Sequence, residues 1–441
     1  MDSSINLMDK IVALCKRRGF IFPGSEIYGG LNGTWDLGPM GVFLANNVKN
    51  EWLKNLLSRG DVVPLDSSVL HSAKVWEASG HLKEFIDPLV ECKLCHKRFR
   101  SDDNVGMSGH AEDELKKRKT AHMQLWTEAR PFNLMFKTFM GPLDNEENKT
   151  YLRPETAQGI FINFKNVVDS TRINIPFGIA QIGKGFRNEI TTGNFLFRVR
   201  EFEMMELEFF VKPTEGEKWH EYWKKERLNW YLSLGIKKEN IKLVDLAKKD
   251  IAHYSKGTSE IWYNWPFMGF GELEGIANRG DYDLSQHSKY SGKDLSYLDE
   301  VAGEKYLPYV IEPSVGVGRA MLAFLIDSYY EDEKRIVLKI NPKLAPYKVA
   351  VFPLLANKPE LVEKAQKIYK DLRKSFVTVF DGRGNIGKRY FAQDEIGTPF
   401  CITVDFDSLK DDAVTVRDRD TMKQERIKID NLSSHIREFL K

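Results

Sequence analysis

The sequence predicts an α+β protein that ends in a compact α/β unit. Three observations carry this. Gly185 to Val211, GFRNEITTGNFLFRVREFEMMELEFFV, reads as two strands joined by a loop at Thr191-Thr192-Gly193-Asn194. Helical spacing brackets that stretch: Leu44, Val48, Trp52 and Leu56 lie four apart before it, and the apolar run AMLAFLIDSYY follows Arg319 after it. Composition then shifts at about Pro342 to Pro346, and beyond it short apolar strands alternate with amphipathic helices. The 441 residues suggest two or three domains, and 42% hydrophobic with 29% charged residues fit a folded soluble chain.

Taken in order, residues 4 to 18 read as a helix with Ile5, Met8, Ile11, Val12 and Cys15 on one side. GFIFPGSEIYGGLNGTWDLGPMG has closely spaced turns. Met40 to Ser58 is a second helix, and DVVPLDSSVL a strand that Pro64 confines to an edge or bend. The region from about 90 to 150 is charged, holds ECKLCHKRF and a basic run at Lys116 to Lys119, and reads as an insertion; 217 to 300 reads as a second one. Within the latter, 217 to 232 is a helix rich in Trp and Tyr, and GFGELEGIANRGDYDL follows. Past Pro346, YKVAVFPL is a strand, and Pro359 opens a helix with Leu361, Ala365, Ile368 and Leu372 on one stripe. FVTVFD, KRYFAQDEIG and PFCITVDFD read as strand, helix and strand. AVTVRDRDTMKQERIKI reads as two strands around a turn.

Net charge is only +2, so a nucleic-acid partner has to meet local basic patches. The four cysteines, Cys15, Cys92, Cys95 and Cys401, are too few for a disulfide framework and fit a reducing compartment. MDSSINLMDKIVALCKRRGF carries charges throughout and is no signal peptide, and no run approaches a membrane span. A cytoplasmic location with no membrane partner is expected.

Strand side chains two apart share a face. That groups Arg187 with Glu189, and Arg198, Arg200, Phe202, Met204, Glu206 and Glu208 after the loop. Arginine forks grip phosphate, a phenyl ring stacks on a base, and carboxylates accept from an ammonium or amine. RPETAQGIF (Arg153 to Phe161) and IEPSVGVGR (Ile311 to Arg319) repeat the theme. Glu155 follows a proline and Glu312 precedes one, which holds Glu312 in extended backbone and suits a rigid ammonium pocket. Gly382-Arg383-Gly384-Asn385-Ile386-Gly387 matches the dinucleotide fingerprint, with Asp405 near the ribose-acid position. The unit is too short for two mononucleotide halves, however, and Lys388-Arg389 suits a polyanion, so Arg383, Lys388 and Arg389 are read as contacts to nucleic-acid phosphates. Cys92 and Cys95 have the spacing of half a zinc site, but a second pair is missing and His96, His110 and His122 match no standard pattern. Two free thiols fit better than zinc.

Together these stretches resemble class II aminoacyl-tRNA synthetases. FRNE at 186 to 189 with the loop and RVREF is similar to motif 2 of that class, and GVGR at 316 to 319 opening a helix to motif 3; the helix at 40 to 58 and the strand after it occupy the place of motif 1. RPETAQGIF, REFEMMELEFF, GELEGIANRGDYDLSQH and IEPSVGVGR narrow the match to the homodimeric glycyl-tRNA synthetase family, over nearly the whole chain. One departure is a cysteine pair that many relatives carry near HMQLWTEARPFNLMF, whose absence argues against zinc.

The resemblance implies a catalytic domain over 1–342, with an antiparallel sheet flanked by helices, and an anticodon-binding domain over 345–441. It implies ATP with Mg²⁺, glycine and tRNA(Gly) as partners, and a homodimer. Arg187, Arg319 and Glu272 would be catalytic, with Arg187 on the α-phosphate and Glu272 on the metal. Glu189 would read the adenine amine, Phe202 would stack on adenine with Arg319 on the base's other face or on the γ-phosphate, and Asn188, Phe197, Arg198, Leu273 and Gly316 would line ATP. Arg100, Glu155, Glu206, Glu312 and Ser314 would surround glycine.

Overall fold

The computed structural model describes residues 6–118, 125–250 and 255–440; Ile5, Lys119 and His122, named above, lie outside the described residues. α1 (Leu7–Arg18) starts where the Asn6 side chain accepts from the Met8 amide at 3.1 Å, and stops at Gly19, whose φ of 71° suits a residue without Cβ. α2 (Pro39–Leu57) opens on the proline that fits a first helical position. β1 (Val62–Pro64) follows. β2 (Ile86–Glu91), β3 (Arg98–Arg100), α3 (Asn104–Arg118) and β4 (Arg130–Asn133) come next, and these three strands form a small antiparallel sheet of their own in the order β3-β2-β4.

The main sheet is built from what comes after. α4 (Ala157–Thr171), β5 (Phe177–Phe186), β6 (Glu201–Val211), α5 (Gly216–Ser233), β7 (Ile241–Asp245), β8 (Gly257–Trp265), β9 (Gly269–Gly280), α6 (Tyr282–Ser291), β10 (Tyr309–Gly316) and α7 (Val317–Ser328) follow in turn. Seven strands pair in the order β7-β8-β9-β10-β6-β5-β1, antiparallel except at β1, whose Pro64 sits on the edge. Alternation sends Met205, Leu207, Phe209 and Val211 of β6 to one face, against Leu44, Val48 and Trp52 of α2, Trp223 and Trp230 of α5, and Leu325 of α7. Phe202, Met204, Glu206 and Glu208 fall on the opposite face. There α4 closes one end through Ile160 and Phe164, packed with Phe177 and Phe210.

Two expectations change here. The hairpin strands stop at Phe186 and resume at Glu201, so Arg187, Glu189, Arg198 and Arg200 lie in a loop and not on strand faces. Arg200 is the reason: its guanidinium donates to the carbonyls of Glu189 (3.0 Å) and Asn32, and this pins the two loop limbs together. The segment 217–300 is not a separate insertion; it supplies α5 and three strands to the main sheet, with β9 beside β10.

Behind the sheet, Arg227 of α5 donates to Glu274 of β9 at 2.6 Å, and the Tyr231 hydroxyl donates to the same carboxylate at 2.7 Å, all fully buried. The C-terminal unit comprises β11 (Val349–Pro353), α8 (Pro359–Leu372), β12 (Thr378–Phe380), α9 (Ile386–Ile396), β13 (Phe400–Val404), β14 (Ala413–Asp418), β15 (Gln424–Lys428) and α10 (Leu432–Phe439). Its sheet runs β12-β11-β13-β14-β15, parallel at β11 and antiparallel beyond β13, with the α8 stripe and Ile436 of α10 in its core. Arg18 to Glu395 at 2.6 Å and Arg335 to Asp394 at 2.7 Å tie it to the rest of the chain.

Arg227→Met leaves Glu274 buried without its cation. It should lower stability by about 3–5 kcal/mol, read as a fall in the urea midpoint by tryptophan fluorescence, whereas replacing Arg227 and Glu274 together by methionine should cost less. A single variant as stable as the native chain would show that the pair is not paired in solution.

Candidate active site

On the face opposite the α2–α5–α7 core the sheet opens into a cavity of about 330 Å³. Strand geometry decides what lines it. β10 contributes Glu312 and Ser314, and register sets Ser314 between Glu206 of β6 and Gly275 of β9. A β-bulge interrupts the pairing of β8 with β9 between Ile261 and Trp262, so that Ile261 faces Glu274 and Trp262 faces Glu272. The extra residue, Leu273, turns into the core at 1% exposure, and Glu272 is aimed at the cavity. The loop before β6 adds Arg187, Glu189, Phe197 and Arg198, and α7 begins with Gly318 and Arg319 at the rim.

The two ends of the cavity differ in charge. One end is acidic. Glu206 accepts from the backbone amides of Thr156 (2.5 Å) and Ala157 (3.1 Å) at the start of α4, from the Thr156 hydroxyl, and from Ser314 Oγ at 2.9 Å. Glu155 accepts from Gln158 Nε2 at 3.0 Å and lies 3.3 Å from His81 Nε2. Glu312 lies 2.8 Å from Arg279, whose fork is shared with Asp283 at 2.7 and 2.9 Å. Burial pushes the Glu312 carboxyl up to about 8, because Arg279 is divided and Glu206 and Glu155 repel a further charge. Burial and Glu155 likewise raise Glu206. For Glu155 burial acts upward too, but His81 and Arg279 outweigh it and hold that carboxyl below the usual range. Behind them Glu208 is fully buried; burial and Glu312 hold it well above the ordinary carboxylate range.

The other end is cationic. Arg187 Nε donates to the Pro154 carbonyl at 3.1 Å, and its guanidinium lies over the Phe85 and Phe202 rings at 5.3 and 5.4 Å. Among the described residues no carboxylate lies within ion-pair distance of it, which leaves its remaining donors for an anion. Arg198 is paired with Glu189 at 2.7 Å, and Arg319 with Glu272 at 2.8 Å. Glu260, missed in the sequence, stands near Glu272; burial and that neighbour raise its carboxyl. Two adjoining carboxylates of this kind supply the hard oxygen donors that Mg²⁺ takes.

Fourteen of the residues singled out in the sequence line this one cavity: Glu155, Arg187, Glu189, Phe197, Arg198, Phe202, Met204, Glu206, Glu272, Leu273, Glu312, Ser314, Gly316 and Arg319. Others do not join them. Arg100, on β3 of the small sheet, is held by Asp102 (2.7 Å) and Asp87 (3.1 Å) and does not line the cavity. Asn188 donates its amide to Leu134 and does not line the cavity. Arg319 lies over the Phe197 ring at 4.5 Å, and Arg187 lies over Phe202 at 5.4 Å. Sequence patterns gave no warning of Thr258, Glu260 or His81, and gave no role to Gly275, Arg279, Asp283 or Gln158 within the quoted stretches, since each is placed by pairing of distant segments.

The Gly-rich loop at 382–387 precedes α9, and Asn385 caps that helix by accepting from the Lys388 amide at 2.9 Å. Arg383 is 95% exposed and Lys388 is exposed. Arg389, expected to meet phosphate, is instead buried, and its guanidinium donates to the carbonyls of Pro353 (2.5 Å) and Gly384 (2.9 Å). It shapes the loop that presents the other two.

Family models match two regions of the chain: a tRNA synthetase class II core domain (G, H, P, S and T) over residues 136–329, and an anticodon binding domain over 348–439. The chain is 52% identical to a glycine–tRNA ligase of Caldanaerobacter subterraneus subsp. tengcongensis, covering 98% of each sequence. It is 53% identical to a glycine–tRNA ligase of Streptomyces coelicolor, covering 97% of each. In fold it is similar to a prolyl-tRNA synthetase from Cryptosporidium parvum, with a TM-score of 0.69 at 17% identity, over 100% of this chain and 78% of that one.

Removing the Arg389 fork strands buried carbonyls. Arg389→Ala should destabilise the C-terminal unit by about 1–3 kcal/mol in a thermal melt, while Arg383→Ala leaves the melt unchanged. Equal melts for the two variants would mean that Arg389 does not hold the loop.

Proposed function

The chain belongs to the glycine–tRNA ligase family of class II synthetases, and from that premise we propose how its own residues carry the reaction. It charges tRNA with glycine at the expense of ATP. The observation that supports the assignment of roles is the division of one cavity into an acidic end for an ammonium and a cationic end for phosphates.

Glycine binds with its ammonium toward Glu155, Glu206 and Glu312 and its carboxylate toward Arg187. A carboxylate oxygen attacks the α-phosphorus of ATP in line, a P–O bond forms, and pyrophosphate leaves with the broken bond's electrons. A terminal ribose hydroxyl of the tRNA then attacks the glycyl carbonyl; the ester C–O bond forms, the acyl bond to the phosphate oxygen breaks, and AMP leaves with its electrons while its phosphate takes up the hydroxyl proton. Neither step requires a protein nucleophile. The protein holds the reactants in line and offsets charge on phosphate oxygens. Arg187 serves the α-phosphate and the attacking carboxylate. Phe202 offers a face to adenine, and Glu189 an acceptor to its amine once Arg198 turns to phosphate. With ATP bound, Arg319 would turn from Glu272 to the nucleotide, and Glu272 and Glu260 would be the residues that hold Mg²⁺. That ion supplies positive charge to the phosphates when bound.

Residues 1–342 form the catalytic domain in this reading and 345–441 the anticodon-binding domain, where Arg383 and Lys388 meet tRNA phosphates. The homodimer belongs to the same proposal: Ile27, Tyr28 and Leu31 are 87%, 86% and 60% exposed, an apolar stretch suited to a second copy. So does the cytoplasmic location; among the described residues no helix is long and apolar enough to cross a membrane.

Amino-acid-dependent exchange of pyrophosphate into ATP tests the reading. Of the twenty amino acids only glycine should support it, and Arg187→Ala should slow it on the order of a hundredfold or more. Near-native exchange by a folded Arg187→Ala chain removes that residue from the chemistry.

The acidic end adds a pH dependence. Below a pKa of about 8 Glu312 carries a proton that the ammonium must displace. KM for glycine should therefore fall as pH rises toward that value, by up to about tenfold per unit, and level off above it, with KM for ATP changing less. Glu312→Gln should weaken glycine binding and flatten the profile. A native profile in Glu312→Gln would place the titrating group elsewhere.

A further inference from the structure

One cluster takes no part in the cavity. Cys92 directly follows β2, Cys95 lies three residues on, and His110 projects from α3. One ligand atom from each lies within 4.8 Å of the other two, and Cys95 Sγ is 3.3 Å from His110 Nε2. A tetrahedral ion with M–S near 2.3 Å and M–N near 2.0 Å sets its donors roughly 3.5–3.8 Å apart. The three donors are thus already gathered at about the spacing that a metal requires.

The surroundings hold them there. The Cys92 amide donates to Lys97 at 2.8 Å, the His96 amide to Cys92 at 2.9 Å, and the Lys93 amide to Leu125 at 2.7 Å, so the turn that carries both sulfurs is pinned on either side. The His110 ring packs on Phe99 (5.0 Å) and Trp126 (5.8 Å), which fixes its direction. Cys92 is fully buried and Cys95 partly so. The other cysteines differ. Cys15 and Cys401 stand singly in apolar core, and burial pushes the Cys15 thiol up to about 12.

We propose that Cys92, Cys95 and His110 form a metal site that takes Zn²⁺, with water or a further donor in the fourth position. Two sulfurs and an imidazole are the donor set that Zn²⁺ prefers among common divalent ions. Sequence spacing disfavoured zinc for want of a second cysteine pair; folding α3 back over the turn supplies the third ligand from fifteen residues away. The site also has a mechanical consequence. β2 runs from the metal turn back to Asp87, which lies 3.1 Å from Arg100 and 3.8 Å from Arg198 at the cationic end of the cavity. A metal that fastens the turn to α3 steadies Asp87 against Arg198. The metal assignment is independent of the reaction proposed above; only this last coupling rests on it.

Metal analysis of the full chain, grown with zinc and purified without chelator, should find one zinc per chain. After stripping with a chelator, Co²⁺ should restore an equivalent site with near-ultraviolet thiolate-to-cobalt charge transfer and the intense visible bands of a tetrahedral ion. Cys95→Ser and His110→Gln should each weaken Co²⁺ binding by more than about tenfold, while Cys401→Ala keeps the native spectrum. If either ligand variant fails to fold, the native titration still decides. Substoichiometric zinc with no thiolate–cobalt band, a Cys92–Cys95 disulfide in the reduced-buffer preparation, or native Co²⁺ affinity in Cys95→Ser would each overturn the site. For the coupling, KM for ATP should rise in the stripped chain more than KM for glycine; an unchanged KM for ATP would limit the metal to local stability.

Discussion

The buried surplus of carboxylates at the floor of the cavity constrains everything built around it. Glu155, Glu206, Glu208, Glu312 and Asp283 are all buried there, faced by the Arg279 guanidinium and the His81 imidazole. Isolated buried charge is too costly to persist, so the fold has to neutralise it in other ways. The start of α4 supplies amides to Glu206. Gln158 bridges Glu155 and Asp283, and is itself oriented by His287 at 2.8 Å. Glu208, whose oxygens find no hydrogen-bond partner among the described residues, is left to keep its proton. In the proposed reading a ligand ammonium completes this arrangement, and the pocket draws a cation through Glu155, Glu206 and Glu312, each of which already has a partner.

Such an arrangement needs elements brought close together, and the sequence bears marks of that. A Cβ on Gly183 would stand 2.2 Å from Arg153 Nη2. Arg153 runs under β5 at that point to donate to Lys184 and Ser67, both at 2.7 Å, and so fixes the RPET segment that carries Glu155. The bulge at Leu273 does similar work on the other side. Without it, alternation would send Glu272 into the core beside Glu274, where Arg227 already holds one carboxylate.

Much of this was legible in the sequence because local rules govern it. Helices with clear stripes and end signals, such as Pro359–Leu372, fall where spacing and a leading proline put them. The ammonium acids stood out because RPET and IEPS lock them beside prolines. Longer-range matters were not legible. Strand alternation applied to Arg198 and Arg200 assumed pairing that a guanidinium bound to Asn32 interrupts. Arg389 looked like a phosphate contact because charge in a sequence says nothing of burial. His110 was one of three histidines weighed with Cys92 and Cys95, and spacing could not single it out, since its partners lie across a turn whose geometry only the fold sets.

Glycine is the smallest amino acid, so its pocket has one task, which is to refuse anything larger. Exclusion works only if the walls cannot yield. In the proposed site the wall beside the α-carbon is Ser314, whose hydroxyl donates to Glu206, which itself accepts from the helix backbone. Across the strand pair stands Gly275, where an added Cβ would meet nothing within 4 Å. The sheet is therefore bare on one side and braced on the other. In that proposed site a side chain at Gly275 would fill the space that glycine needs, and a methyl on the substrate would press on a serine tethered to Glu206. Because no natural amino acid is smaller than glycine, a pocket that rejects by size alone needs no second site to hydrolyse mistakes. The buried acids thus serve selection twice: they attract the ammonium, and the hydrogen bonds that make their burial tolerable stiffen the wall that excludes its larger relatives.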